Sequence, residues 1–127
     1  MKFLSFGAFC ASLAALSFSF VVGVAQAQDP VAVAPAAFKV LFENERVRVV
    51  EVQFAPGVKN PMHSHPDYVI YPLTSYTVKS TGQDGAEKIF EVKSGTVRWS
   101  PAVTHADDNV GTTDAHAILF ELKAPAK

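Results

Sequence analysis

The sequence predicts an all-β domain, an antiparallel sandwich or barrel, on three observations. Short runs rich in Val, Ile, Phe, Tyr and Thr recur from Phe38 onward, the residue types that suit a pleated, half-buried surface. Turn clusters separate them at close spacing, as at Pro56-Gly57, residues 81–85 and Ser94-Gly95. No segment carries a helical apolar period of useful length. Eight or so short strands spaced in this way fit closed or two-sheet β architectures.

Residues 1–27 stand apart from that pattern. Lys2 gives a positive start, residues 3–24 are almost wholly apolar and small, and Ala25-Gln26-Ala27 is a small-x-small cleavage signature followed by polar Gln28-Asp29-Pro30. This predicts a signal peptide over 1–27, cleavage after Ala27, and a periplasmic or secreted destination. An uncleaved membrane anchor is the alternative. Cys10, the one cysteine, lies in the apolar stretch, so the exported chain would hold no disulfide. The formal charge is −1, and −2 once Lys2 is lost with the leader; the basic footprint of a nucleic-acid binder is missing. What remains is one small soluble domain of about a hundred residues with a thin margin of burial. Sheet closure, a bound metal or a partner subunit would then supply stability.

Residues 28–37, rich in Pro, Ala and Val, read as an extended N-terminal arm, and residues 38–124 as the β domain. Residues 38–42 form a short strand. Val47 and Val49 alternate with Arg46 and Arg48, and then Val50, Val52 and Phe54 alternate in the opposite phase; such a slip predicts a β-bulge near Val49-Val50. Pro56-Gly57 ends that strand. Residues 68–79 favour strand by composition, with Pro72 inside them predicting an edge or a bulge. Residues 81–85 turn the chain between 76–79 and 87–92, which reads as a hairpin. Ser94-Gly95 leads into a strand over 96–99, another forms around His105, and Gly111 marks a turn. Residues 115–123 close the domain with His116, Ile118, Phe120 and Leu122 on one face, a parity that points His116 inward near the mouth.

The chemistry concentrates in histidines. His63-Ser64-His65 on an extended run puts two imidazoles on one face, and His105 can close on them from some forty residues away. Three neutral imidazole nitrogens around one point are a frequent way to hold a divalent transition metal. They leave the ion's charge uncompensated and so favour an anionic outside ligand. Ser64 alternates to the opposite face, which argues against a serine hydrolase. Asp67 follows Pro66 and reads as a turn former before it reads as a ligand. Asp107 is a solvated loop acid or an orienting acceptor for an imidazole, and Asn109 can hold backbone before Gly111. His116 is a rim residue, with a fourth ligand or an acid–base group as the alternatives. Tyr68, Tyr71 and Tyr76, with Phe54 and Trp99, read as core or pocket wall.

Gly57, five residues, His63-x-His65, and then Gly95, five residues, Pro101, His105, three residues and Asn109 resemble the two-part signature of the cupin superfamily. The resemblance spans residues 38–123 and implies a small antiparallel jelly-roll barrel of the RmlC-like kind. It also implies a metal held by His63, His65 and His105, of which iron, zinc, manganese and nickel are the candidates. The family's first-motif glutamate would fall at Tyr68, Val69 or Ile70, none a carboxylate; Val103 replaces a second-motif glycine, and His105 arrives one residue early. Glutamate-free, three-histidine cupins include thiol dioxygenases. The resemblance therefore implies a metal-dependent, dioxygenase-like enzyme on a small organic substrate, with a non-catalytic metal or small-ligand binding module as the alternative. It further implies a homodimer, with edges near Phe38 and Pro72 as pairing sites.

Overall fold

The computed structural model describes residues 28–124; the expected signal peptide lies outside the described residues. The expected extended arm contains instead one turn of helix, α1 (Pro30–Val33). Asp29 caps it, its Oδ1 accepting from Val31 N at 2.8 Å, and Pro30 occupies the first turn, where its missing N–H costs nothing. So short a helix is not stable by itself; Val31 and Val33 pack against the core and Pro30 is fully buried.

Nine strands follow among the described residues: β1 (Phe38–Glu43), β2 (Val47–Phe54), β3 (Lys59–His65), β4 (Tyr68–Pro72), β5 (Tyr76–Gly82), β6 (Glu87–Val92), β7 (Arg98–Ser100), β8 (Val103–Asn109) and β9 (Ala115–Leu122). They form two antiparallel sheets, one ordered β1-β2-β9-β4-β7 and the other β3-β8-β5-β6. The all-β jelly-roll expectation holds. Phe38, Val50, Val52, Phe54, Ile70 and Leu119 fill the space between the sheets. Gly57 (φ 80°) and Gly95 (φ 76°), the glycines that open the two motifs, turn the chain from one sheet to the other in a left-handed conformation that a side chain would strain.

Three local expectations change. The register shift lies in β1, between Val40 and Phe42, opposite Val50 and Val49, while β2 pairs with β9 without interruption. The apparent slip in β2 arises because Arg48 shares the inward face with Val50, Val52 and Phe54, and Val47 and Val49 face out. Residues 68–79 are two strands in different sheets, since Pro72 ends β4 and the next two amides, of Leu73 and Thr74, turn to His116 O at 2.8 and 3.2 Å. Pro72 is therefore not on an edge: β4 lies between β9 and β7. In β9 the inward residues are Ala115, Ala117, Leu119 and Glu121. His116, Ile118, Phe120 and Leu122 do share a face, but it is the outer one.

Candidate metal centre

β3 carries a bulge as well. Asn60 pairs with Asp107 and His63 with His105, so three steps on β3 match two on β8. The extra residue returns His63 to the inward face after Asn60, and period-two alternation then places His65 there too. His105 lies directly across from His63. The ligand-type nitrogens of His63, His65 and His105 all lie within 4.8 Å of one another. Ring centroids are 4.8 Å apart for His63–His105, 4.9 Å for His63–His65 and 5.5 Å for His65–His105. The predicted trio thus converges from two neighbouring strands.

Each ring has one nitrogen engaged on its far side. Nδ1 of His63 donates to Pro61 O at 2.7 Å, Nδ1 of His65 to Glu121 Oε1 at 2.7 Å, and Nδ1 of His105 to Ser80 Oγ at 2.8 Å. A proton on Nδ1 leaves a lone pair on Nε2. The Nε2 atoms of His63 and His105 are buried with no hydrogen-bond partner, an arrangement that is costly unless something accepts electron density from them. Burial, reinforced by the neighbouring imidazoles, pulls His63 and His105 down to about 4, so both rings are neutral and ligand-competent at pH 7. This donor set fits a divalent transition metal.

Glu121 is the residue that sequence reasoning missed. Only 1% exposed, it binds His65 Nδ1 with one oxygen and Arg48 Nε, at 2.6 Å, with the other. Burial pushes its carboxyl up, but the hydrogen bonds from His65 and Arg48 outweigh that and hold it below the usual carboxylate range. Arg48 continues to Asp29, the cap of α1, and Gln28 O accepts from Ser64 N at 2.9 Å, between the two histidines. The start of the described chain is thereby tied to the ligand strand. The available signal was the residue type: an acid among the alternating apolar residues of β9.

The remaining candidates sort by position. Asp107 is not a loop acid: it lies on β8, nearly buried, with Oδ2 3.4 Å from His105 Nε2. Burial raises its carboxyl, an effect that nearby histidines and a hydrogen bond from Ser80 reduce. Asp67 is a turn residue, its Oδ1 accepting from Ala102 N at 2.8 Å. Asn109 Nδ2 donates to Phe54 O and Thr113 O, and its Oδ1 accepts from Gly111 N, which holds the turn as expected. Ser64 faces away and meets Thr104 Oγ1 at 2.6 Å. His116, on the outer face, pairs with Glu51 at 2.9 Å and takes no part in the centre.

A cavity of about 310 Å³ opens beside the histidines, walled by apolar side chains that include Phe54, Ile70 and Val78. Tyr68 and Tyr76 reach it, the latter pushed up to about 12 by burial. Arg98, on the inward face opposite Ile70, lies at its exposed end with its guanidinium 5.5 Å from the Phe90 ring centre. The centre thus combines three neutral nitrogen donors, one nearly buried acid, and an apolar chamber with a cationic rim.

A cupin domain from Bordetella pertussis shares 30% identity with this chain over 68% of it and 92% of the relative, at a TM-score of 0.63. The chain belongs to the cupin superfamily. A double-stranded β-helix protein from Klebsiella pneumoniae (18% identity, 71% and 78% coverage, TM-score 0.56) and an RmlC-like cupin from Methanocaldococcus jannaschii (12%, 68% and 78%, TM-score 0.55) share the fold of this cupin. No family model matches the sequence, and no curated protein does either. The fold has diverged here while keeping the glycine, histidine and asparagine positions its turns and centre require.

Proposed function

We propose that this cupin is an exported, periplasmic or secreted enzyme that uses one divalent transition metal on a small anionic organic molecule, in the manner of the glutamate-free dioxygenases. The observation that carries the reading is the pair of orphaned Nε2 atoms on His63 and His105, aimed with His65 at one buried point beside an apolar chamber. His63, His65 and His105 would hold the metal, which when bound supplies Lewis acidity and, if iron, a route to oxygen chemistry.

The chain's own residues account for the rest. The imidazoles bring no negative charge, and Arg98 adds a positive one at the rim, so the chamber selects an anion. Phe54, Ile70 and Val78 contact its apolar body and exclude water. Asp107, raised by burial, stands close enough to the ligand nitrogens to take a proton from a group bound beside them. Export agrees with the leader-like residues 1–27 and with a mature domain that needs no disulfide.

Metal analysis of the mature protein purified at native expression level tests the metal, and iron is expected for the enzyme reading. Oxygen uptake against carboxylate-bearing thiols, diketones and phenols tests the reaction. Zinc with no turnover of any panel member would favour a binding module instead.

A further inference from the structure

The two sheets differ in what they show to solvent. The outer face of the four-stranded sheet is polar in the ordinary way: Lys59, Asp108, Lys79 and Glu87 form an ion-paired strip, and Ser64 pairs with Thr104. The outer face of the five-stranded sheet is apolar. Cross-strand register sets Phe42, Val49, Phe120, Val69 and Trp99 in one unbroken row through all five strands. Ile118 and Tyr71 extend it on one side, Val47 and Leu122 on the other. Phe42 is 54% exposed and Trp99 52%.

We propose that this face docks a second copy of the same chain, sheet against sheet, in a two-fold dimer. At 150–250 Å² for a full aromatic side chain, the exposed apolar area is roughly 600 Å², the upper limit for a monomer's largest patch. With a polar rim it approaches the ~800 Å² per partner of a standard interface. Lys39 and Glu51 are adjacent and opposite in sign, and Glu51 is further matched by His116, so two such faces do not repel. A two-fold interface requires one self-complementary patch, and a flat apolar row is one. The chain's own ends are poorly placed to cover it. Residues 1–27 join at Gln28, which is bonded to β3 in the other sheet, and only three residues follow 124.

Trp99 is the one tryptophan of the chain and reports on the face directly. Sedimentation equilibrium of the mature protein is expected to give twice the chain mass, with Trp99 shielded from acrylamide. Phe42→Glu and, separately, Phe120→Glu are expected to give single-chain mass and at least twofold faster Trp99 quenching, with circular dichroism and metal content unchanged. Two variants are used because Phe120 is the more buried and can fail to fold. A single-chain mass at 100 µM with Trp99 freely quenched would overturn the proposal, as would a dimer that survives Phe42→Glu in folded protein. Trp99 shielding only in the leader-bearing precursor, or only with anionic phospholipid vesicles, would assign the face to those occupants and overturn it equally.

Discussion

Glu121 and His65 meet through a 2.7 Å hydrogen bond inside the barrel, and Arg48 closes on the same carboxylate from the other side. The bond fixes the proton on His65 Nδ1 and turns Nε2 toward His63 and His105. Partners of this kind contribute about 10–100-fold to metal affinity. Glu121→Gln is therefore expected to weaken metal binding by about that factor while the fold persists, as read by chelator competition. Glu121→Ala strands the Arg48 charge and is expected to cost about 3–5 kcal/mol in urea unfolding. Unchanged affinity in Glu121→Gln would remove the orienting role.

The three imidazoles act as a set, so His63→Ala or His105→Ala is expected to abolish stoichiometric metal in the purified protein. His116→Ala is expected to leave it intact, because that ring pairs with Glu51 on the outer face. Elemental analysis of the three variants side by side separates the outcomes, and loss of metal in the third would contradict the placement of β9.

Stability of the metal-free domain should depend on pH in a defined window. An unfolded histidine titrates near 6.5, whereas burial holds folded His63 and His105 at about 4. Between these values the unfolded chain binds more protons, so stability falls as pH drops from about 6.5 toward about 4, and is fully present above that window. Asp107, raised by burial, has the opposite sign and offsets part of the loss. Urea midpoints at pH 7.5, 6 and 5 are expected to fall in that order; a flat series would count against neutral buried imidazoles.

Asn109 makes three hydrogen bonds from a site 2% exposed. Asn109→Ala leaves Phe54 O and Gly111 N without that partner and is expected to cost about 1–3 kcal/mol. Thermal unfolding checks it, with metal affinity largely preserved because Asn109 does not touch the histidines.

Arg98 is expected to matter for ligand and not for metal. Arg98→Ala should raise the KM or Kd of an anionic ligand about tenfold or more, since a charged hydrogen bond contributes about 1.5–3 kcal/mol. Metal content is expected to stay the same, and equal affinity for an anion and its neutral analogue in both proteins would refute the role.

Much of this was legible along the chain because it depends on local rules. Period-two alternation put His63 and His65 on one face, Pro and Gly marked the turns, and the motif spacing named His105. Other features were hidden by one shared cause. Where both faces of a sheet are apolar, alternation no longer tells inside from outside. In β9 the acid Glu121 faces in while Phe120 and Leu122 face out, and in β2 Arg48 faces in while Val49 faces out. His116 was consequently assigned to the wrong side, and the carboxylate that orients His65 was not found.

By itself the sequence determined the β class, the histidine trio, the turns and the family, since these follow from residue type and short-range spacing. Only the tertiary structure decided that Glu121, Arg48 and Asp29 stand behind His65, that Asp107 stands beside His105, and that one sheet keeps an apolar outer face. These are properties of pairing between distant strands, where one bulge or one change of sheet reverses which side chains meet. Residue spacing carries no record of that choice; hydrogen-bond register and burial make it.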